Sequence, residues 1–141
     1  MSDGNFLALD IGEKRIGVAR ANGVALIAEP LKTLDNDKNF TANLHELVGS
    51  EGAKTIVIGL PRNLHGEDTA QTEYVREFVS NLNVNPGLKV VFQDEATSSI
   101  KAEEYLKSQK KPYSKADIDA EAARVILQDF IDSVILTGAS R

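Results

Sequence analysis

Apolar residues along the chain fall into short unbroken runs that alternate, after the first third, with stripes at helical spacing. Phe6 to Ile11 and Ile16 to Ala21 predict two buried strands. Asn22-Gly23 predicts a two-residue hairpin into a third strand, Val24 to Ala28, with Pro30 ending it. From Asp37 to Ser50 the spacing of Phe40, Leu44, Leu47 and Val48 predicts a helix that stops at Glu51-Gly52. Thr55-Ile56-Val57-Ile58 is β-branched throughout, the pattern of a strand covered on both faces. Asp68 with Gln71 has the spacing of a capping box. The stripe Tyr74, Val75, Phe78, Val79 and Leu82 continues that helix until Asn85-Pro86-Gly87 breaks it. Leu88 to Phe92 predicts another buried strand, Ser98 to Gln109 a helix, and Ser114 with Asp117 a capping box that opens a last helix to about Leu136.

The predicted order is therefore β-β-β-α-β-α-β-α-α. Tight connections make the first three strands an antiparallel meander, and right-handed crossovers lay the two later strands beside the first. The expected architecture is α/β, a mixed five-stranded sheet of order 3-2-1-4-5 flanked by helices, which is the ribonuclease H-like arrangement. With no repeat, linker or low-complexity segment, residues 1–141 are expected to form one domain.

Three acidic positions break the hydrophobic pattern. Asp10 closes the first apolar run beside Ile11-Gly12, where a desolvated carboxylate needs a positive partner; turn formation is the competing explanation for an Asp there. Glu95 follows Asp94 at the end of the fifth strand. Alternation sends the two side chains to opposite faces, and Glu95 is taken as the one that faces the cleft, against solvation or helix capping. Asp119 projects in line with Ala122, Ala123, Ile126 and Phe130 on the apolar stripe of the last helix. Asp117, Glu121, Arg124, Gln128 and Asp132 fall on its polar side. Three isolated carboxylates from separate elements make a hard-oxygen donor set of the kind that Mg²⁺ or Mn²⁺ prefers. Such a site suits phosphodiester hydrolysis without a protein nucleophile, with Asp10, Glu95 and Asp119 as both catalytic and metal-ligating residues.

Composition narrows the field. No cysteine is present, which removes disulfides, thiolate metal sites and cysteine nucleophiles. Apolar residues make up 42% of 141, enough for a sizeable core, yet no run approaches a membrane span and the start lacks a secretory pattern, so a soluble cytoplasmic protein is expected. A net charge of −5 argues against a broadly cationic nucleic-acid-binding surface, which leaves local basic groups to meet phosphates. Lys14, Arg62 and the cluster of Lys107, Lys110 and Lys111 are the candidates. The loop Gly59-Leu60-Pro61-Arg62-Asn63-Leu64-His65-Gly66 leaves a buried strand where open α/β sheets place ligand contacts, and Asn63 joins the substrate-binding candidates. An inert, well-formed turn is the alternative, and His65 is a secondary acid–base candidate.

Ala8-Leu9-Asp10-Ile11-Gly12 with Ile16-Gly17-Val18-Ala19, Val57-Ile58-Gly59-Leu60-Pro61 with Gly66, Asp94-Glu95, and Asp119 with Ala122-Ala123 and Ile126-Leu127 together resemble the YqgF family of pre-16S rRNA nucleases. These are also described as Holliday junction resolvase-like. The resemblance spans nearly the whole chain. It implies a ribonuclease H-like fold, divalent-metal-dependent cleavage, and a bacterial cytoplasmic role in maturing the 5′ end of small-subunit rRNA; separately, a monomer or weak homodimer is expected. Asp10, Glu95 and Asp119 fall on the family's acidic motif positions. One departure stands out: the family's Asp-Glu-Arg followed by a hydroxyl pair reads Asp94-Glu95-Ala96-Thr97-Ser98 here, which removes a guanidinium that Arg62 or Lys101 could replace. Alternatives are a resolvase acting on branched DNA and a non-catalytic rRNA-binding assembly protein. Asp10-Ile11-Gly12 with its hairpin is also similar to the opening of actin-like ATPases and sugar kinases, whose two such domains exceed this chain length.

Overall fold

The computed structural model describes residues 4–95 and 98–136. Strands β1 (Asn5–Ile11), β2 (Arg15–Ala21) and β3 (Ala28–Asp35) are followed by helix α1 (Phe40–Glu51), strand β4 (Ala53–Pro61), helix α2 (Ala70–Ser80) and strand β5 (Lys89–Glu95). Helices α3 (Ser98–Ser108) and α4 (Lys115–Phe130) complete the order, and α4 runs on into a π-helical segment, Ile131–Leu136. Among the described residues the sheet has the order β3-β2-β1-β4-β5, as the sequence predicts. β1 pairs antiparallel with β2 and parallel with β4, and β4 pairs parallel with β5.

Alternation divides the strand residues between two layers. Leu7, Leu9 and Ile11 of β1, with Ile56, Ile58 and Leu60 of β4, pack against Phe40, Leu44 and Leu47 of α1 and Val75 of α2. On the other face Phe6 and Ala8 of β1, Ala19 and Ala21 of β2 and Val57 of β4 meet Ala123, Ile126, Leu127 and Phe130 of α4. Small side chains on this second face let α4 lie close to the sheet. Asp10, two positions beyond Ala8, belongs to the α4 face.

Several local expectations are corrected. The third strand begins at Ala28, not Val24: Asn22 Oδ1 accepts from the backbone nitrogens of Val24 and Ala25, Leu26 takes a left-handed φ of 57°, and the connection is a six-residue loop. Pro30 does not end the strand but lies within it. β3 is an edge strand, and its ladder with β2 shifts register between Val18 and Ala19, where a residue without N–H is tolerated. The cap of α2 is Thr69 with Thr72 rather than Asp68 with Gln71. Asp68 instead accepts from Arg62 and Arg76, which turns it away from the helix end. The helix closes at Ser80, so Leu82 lies outside it. β5 is a half-exposed edge strand, with Phe92 at 45% exposure, rather than a buried one. Glu121 is buried at 2% exposure although its projection placed it on the polar side of α4, because α3 covers that side. It pairs with Arg124, whose guanidinium lies 5.3 Å from the ring centre of Tyr105 on α3.

Candidate active site

The carboxylates converge through backbone packing. Asp10 stands opposite Gly17 in the β1–β2 ladder, and the Asp119–Ala120 backbone of α4 rests directly on Gly17. A Cβ at position 17 would collide with the Asp119 carbonyl, so the glycine is what lets the second turn of α4 reach the end of β1. The start of α4 is fixed by its predicted capping box: Asp117 Oδ2 accepts from the Ser114 amide at 2.8 Å and Ser114 Oγ accepts from the Asp117 amide at 3.2 Å.

Desolvation of Asp10, followed by the negative charge of Asp119, pushes its carboxyl up to about 6. Asp119 carries its own cation: Arg15, the first residue of β2, donates from Nε to Asp119 Oδ2 at 2.7 Å. The tight turn between β1 and β2 is closed by the Gly12 amide, which donates to the Arg15 carbonyl at 3.0 Å.

Glu95 ends β5 on the same face as Val91, which packs with the α4 layer, and Asp94 is on the opposite face, as alternation predicts. β4 intervenes between β1 and β5, so Glu95 is two strand spacings, roughly 10 Å, from β1. On the α4 face β4 presents Gly59 and then Pro61, the ladder partner of Glu95, and the space over Gly59 is taken by the Ile126 side chain of α4. Desolvation, then a hydrogen bond with Asp129 and the charges of Asp129 and Asp10, raise the Glu95 carboxyl to about 8, against an opposing pull from Lys101. Lys101 Nζ stands 3.8 Å from Asp129 Oδ2.

Sequence reasoning missed Asp129. Its position, three residues after Ile126 and seven after Ala122, places it beside the sheet-facing stripe of α4, and that spacing was the available signal. Arg15 was likewise passed over in favour of Lys14. Asp10 feels the charge of Asp119, and Glu95 feels those of Asp129 and Asp10, so the four carboxylates lie in a row. Among the described residues no three carboxylate or imidazole groups converge on one ion-sized point, so the three predicted ligands form this row rather than a preformed cage. In donor type they suit a hard cation: oxygen-only, partly withdrawn from solvent and like-charged.

The other predicted residues have varied surroundings. Arg62 donates its backbone amide to the Glu95 carbonyl at 3.1 Å, and its guanidinium reaches Asp68 and, at 3.4 Å, Asp94. Its Nε is buried without a partner among the described residues. The Asn63 side chain is used within its own loop: Oδ1 accepts from the amides of His65 and Glu67, and Nδ2 donates to Glu67 Oε1. Lys14, Lys110 and Lys111 are exposed, with no ion pair to the carboxylates among the described residues, and His65 is exposed at the loop tip. Ala96 and Thr97, where the family pattern is broken, lie outside the described residues.

The sequence matches the RuvX family, described as Holliday junction resolvase, over residues 4–133. A protein from Sulfurihydrogenibium sp. named "Putative pre-16S rRNA nuclease" is 39% identical over 129 residues, covering 90% of this chain and 89% of that one. A protein of the same name from Chloroflexus aurantiacus is 39% identical over 137 residues, covering 94% and 90%. In fold, Thermus thermophilus RuvC superposes with a TM-score of 0.56 at 13% identity over 96% of this chain and 97% of that one. The Fowlpox virus resolvase, solved with Holliday junction DNA, gives 0.55 at 10% identity over 93% and 99%.

Proposed function

The chain belongs to the RuvX family, and on that footing we propose that it is a divalent-metal-dependent nuclease that hydrolyses phosphodiester bonds in structured RNA and processes the 5′ end of pre-16S rRNA. The observation that carries the reading is the coupling of Asp10 to Asp119 across Gly17. A strand end and a helix turn are held together there at the cost of crowding two carboxylates. Asp10 and Asp119 would hold one Mg²⁺ or Mn²⁺, and Glu95 with Asp129 would supply oxygens on the far side. A bound divalent cation supplies an acidified water and charge for the leaving oxygen.

The chain's own residues do the rest. Asp10 and Glu95 are withdrawn in part from bulk water, and in that lower-dielectric setting their electrostatic interactions are stronger than in water. Arg62, whose amide donates to the Glu95 carbonyl, spends its guanidinium on Asp68 and Asp94, so it does not make good the charge lost at Ala96. Lys101 is already engaged with Asp129.

Purified protein incubated with Mn²⁺ and an RNA carrying the 5′ precursor of small-subunit rRNA should cut it, and EDTA should stop the reaction. Cleavage of a four-way DNA junction with the RNA left intact would support the branched-DNA alternative. Cleavage of neither substrate would overturn the nuclease reading.

A further inference from the structure

Arg15 uses its guanidinium unevenly. Nε is committed to Asp119 Oδ2 at 2.7 Å, a charge-assisted hydrogen bond of ordinary strength and length. Among the described residues neither terminal nitrogen takes a protein acceptor, and the side chain is 37% exposed, against 24% for Asp119. The end-on edge of a guanidinium, Nη1 with Nη2, matches two oxygens of a phosphate, and it remains available while Nε holds the carboxylate. The base of the side chain is fixed as well. The Arg15 carbonyl accepts from Gly12, and Arg15 begins the β2 ladder opposite Asp35 of β3.

Other basic residues near the site lack this combination. The terminal nitrogens of Arg62 are taken by Asp68 and Asp94, and Lys101 faces Asp129. Lys14 is exposed and carries a single ammonium that cannot serve two acceptors in a fixed plane.

From this geometry we infer that Arg15 is a bridging residue: Nε orients Asp119 and the terminal edge binds a phosphate of the nucleic-acid backbone next to the carboxylate row. The inference rests on the nuclease reading, since it takes the ligand to be a nucleic acid, and it adds a residue that neither composition nor the acidic motif singles out. Arg15 would thereby set the register of the strand against Asp10 without reading its sequence.

The salt dependence of binding tests it, because a phosphate contact contributes to that slope and a merely structural arginine does not. Fluorescence anisotropy with a labelled RNA stem-loop in EDTA, where no cleavage intervenes, gives log Kd against log salt for wild type, Arg15→Ala, Arg15→Lys and the distant control Lys89→Ala. The expected result is a slope shallower by about 0.7 to 0.9 for Arg15→Ala, the contribution of one phosphate contact. Arg15→Lys keeps the charge and should restore the slope, and Lys89→Ala should match wild type. An unchanged slope for Arg15→Ala with an intact far-UV circular dichroism spectrum would overturn the inference and leave Arg15 as a partner of Asp119 alone. Absence of RNA binding by the wild type itself would instead overturn the nucleic-acid reading beneath it, so the two failures are told apart by the unsubstituted protein.

Discussion

Gly17 lies beneath Asp119, close enough that a Cβ there would run into the Asp119 carbonyl and stand 2.9 Å from the Ala120 nitrogen. Asp10 is the ladder partner of that same glycine. One residue without a side chain therefore sets how near a helix carboxylate comes to a strand carboxylate. The neighbour it would strike is backbone, which cannot rotate aside, so Gly17→Ala must push α4 outward. Overpacking of this kind costs about 1–3 kcal/mol. The melting temperature of Gly17→Ala should fall by roughly 3–10 °C, and RNA cleavage should fall at least tenfold even well below the melting temperature. Full activity in Gly17→Ala would show that the close approach is not needed.

The raised carboxyls predict how stability depends on pH. Asp10 rises from 3.8 to about 6 and Glu95 from 4.5 to about 8. Both hold their proton more tightly folded than unfolded. Their contribution is thus complete below about pH 4 and is lost as pH rises through 6 and then 8. In EDTA the melting temperature should drop between pH 5 and pH 8.5. Asp10→Asn should flatten part of that drop and stabilise the protein at pH 8 by on the order of 2 kcal/mol, while abolishing cleavage. Mn²⁺ added at pH 8 should raise the wild-type melting temperature and affect Asp10→Asn less. Scanning calorimetry across pH checks all three.

Asp129 gives a separate test of the far end of the row. Its hydrogen bond and its charge both hold the Glu95 carboxyl up. Asp129→Asn removes the charge, so the Glu95 titration should move down from about 8, toward the ordinary carboxylate range. Carbon-detected NMR of the glutamate carboxyls would show the shift, and an unmoved titration would remove Asp129 from the site.

The corrected cap of α2 makes a prediction about stability alone. Thr69 Oγ1 accepts from the Thr72 amide at 3.3 Å. Thr69→Ala should cost about 1 kcal/mol with cleavage unchanged. Asp68→Ala should leave the helix end intact and act only through the loosened Arg62 and Arg76 side chains, a difference that urea denaturation and a cleavage assay resolve together.

The sheet order, the placement of Glu95 over Asp94 and the inward turn of Asp119 were legible in the sequence because each follows from a local period, two for strands and 3.6 for helices. The third strand was misplaced because Asn22-Gly23 carries a strong turn signal. Its side chain instead builds a wider loop that Leu26 completes in the left-handed region. Asp68 outweighed Thr69 as a cap because its competing arginines lie six and eight residues away, beyond the span of a capping pattern. Glu121 was misread for a related reason: projecting one helix shows its faces but not that α3 covers a second one. Asp129 and Arg15 become visible only when the partner element is in place. Each is one polar residue among many until Glu95 or Asp119 stands beside it.

The central claim is that Asp10, Glu95 and Asp119 act as one ion-binding set. Isothermal titration calorimetry of Mn²⁺ into wild type, Asp10→Asn, Glu95→Gln and Asp119→Asn measures this most directly. Saturable binding to the wild type, weakened at least tenfold by Asp10→Asn and Asp119→Asn and clearly reduced by Glu95→Gln, is the predicted result. Mn²⁺ binding of equal strength in all four proteins, or none in the wild type, would contradict it.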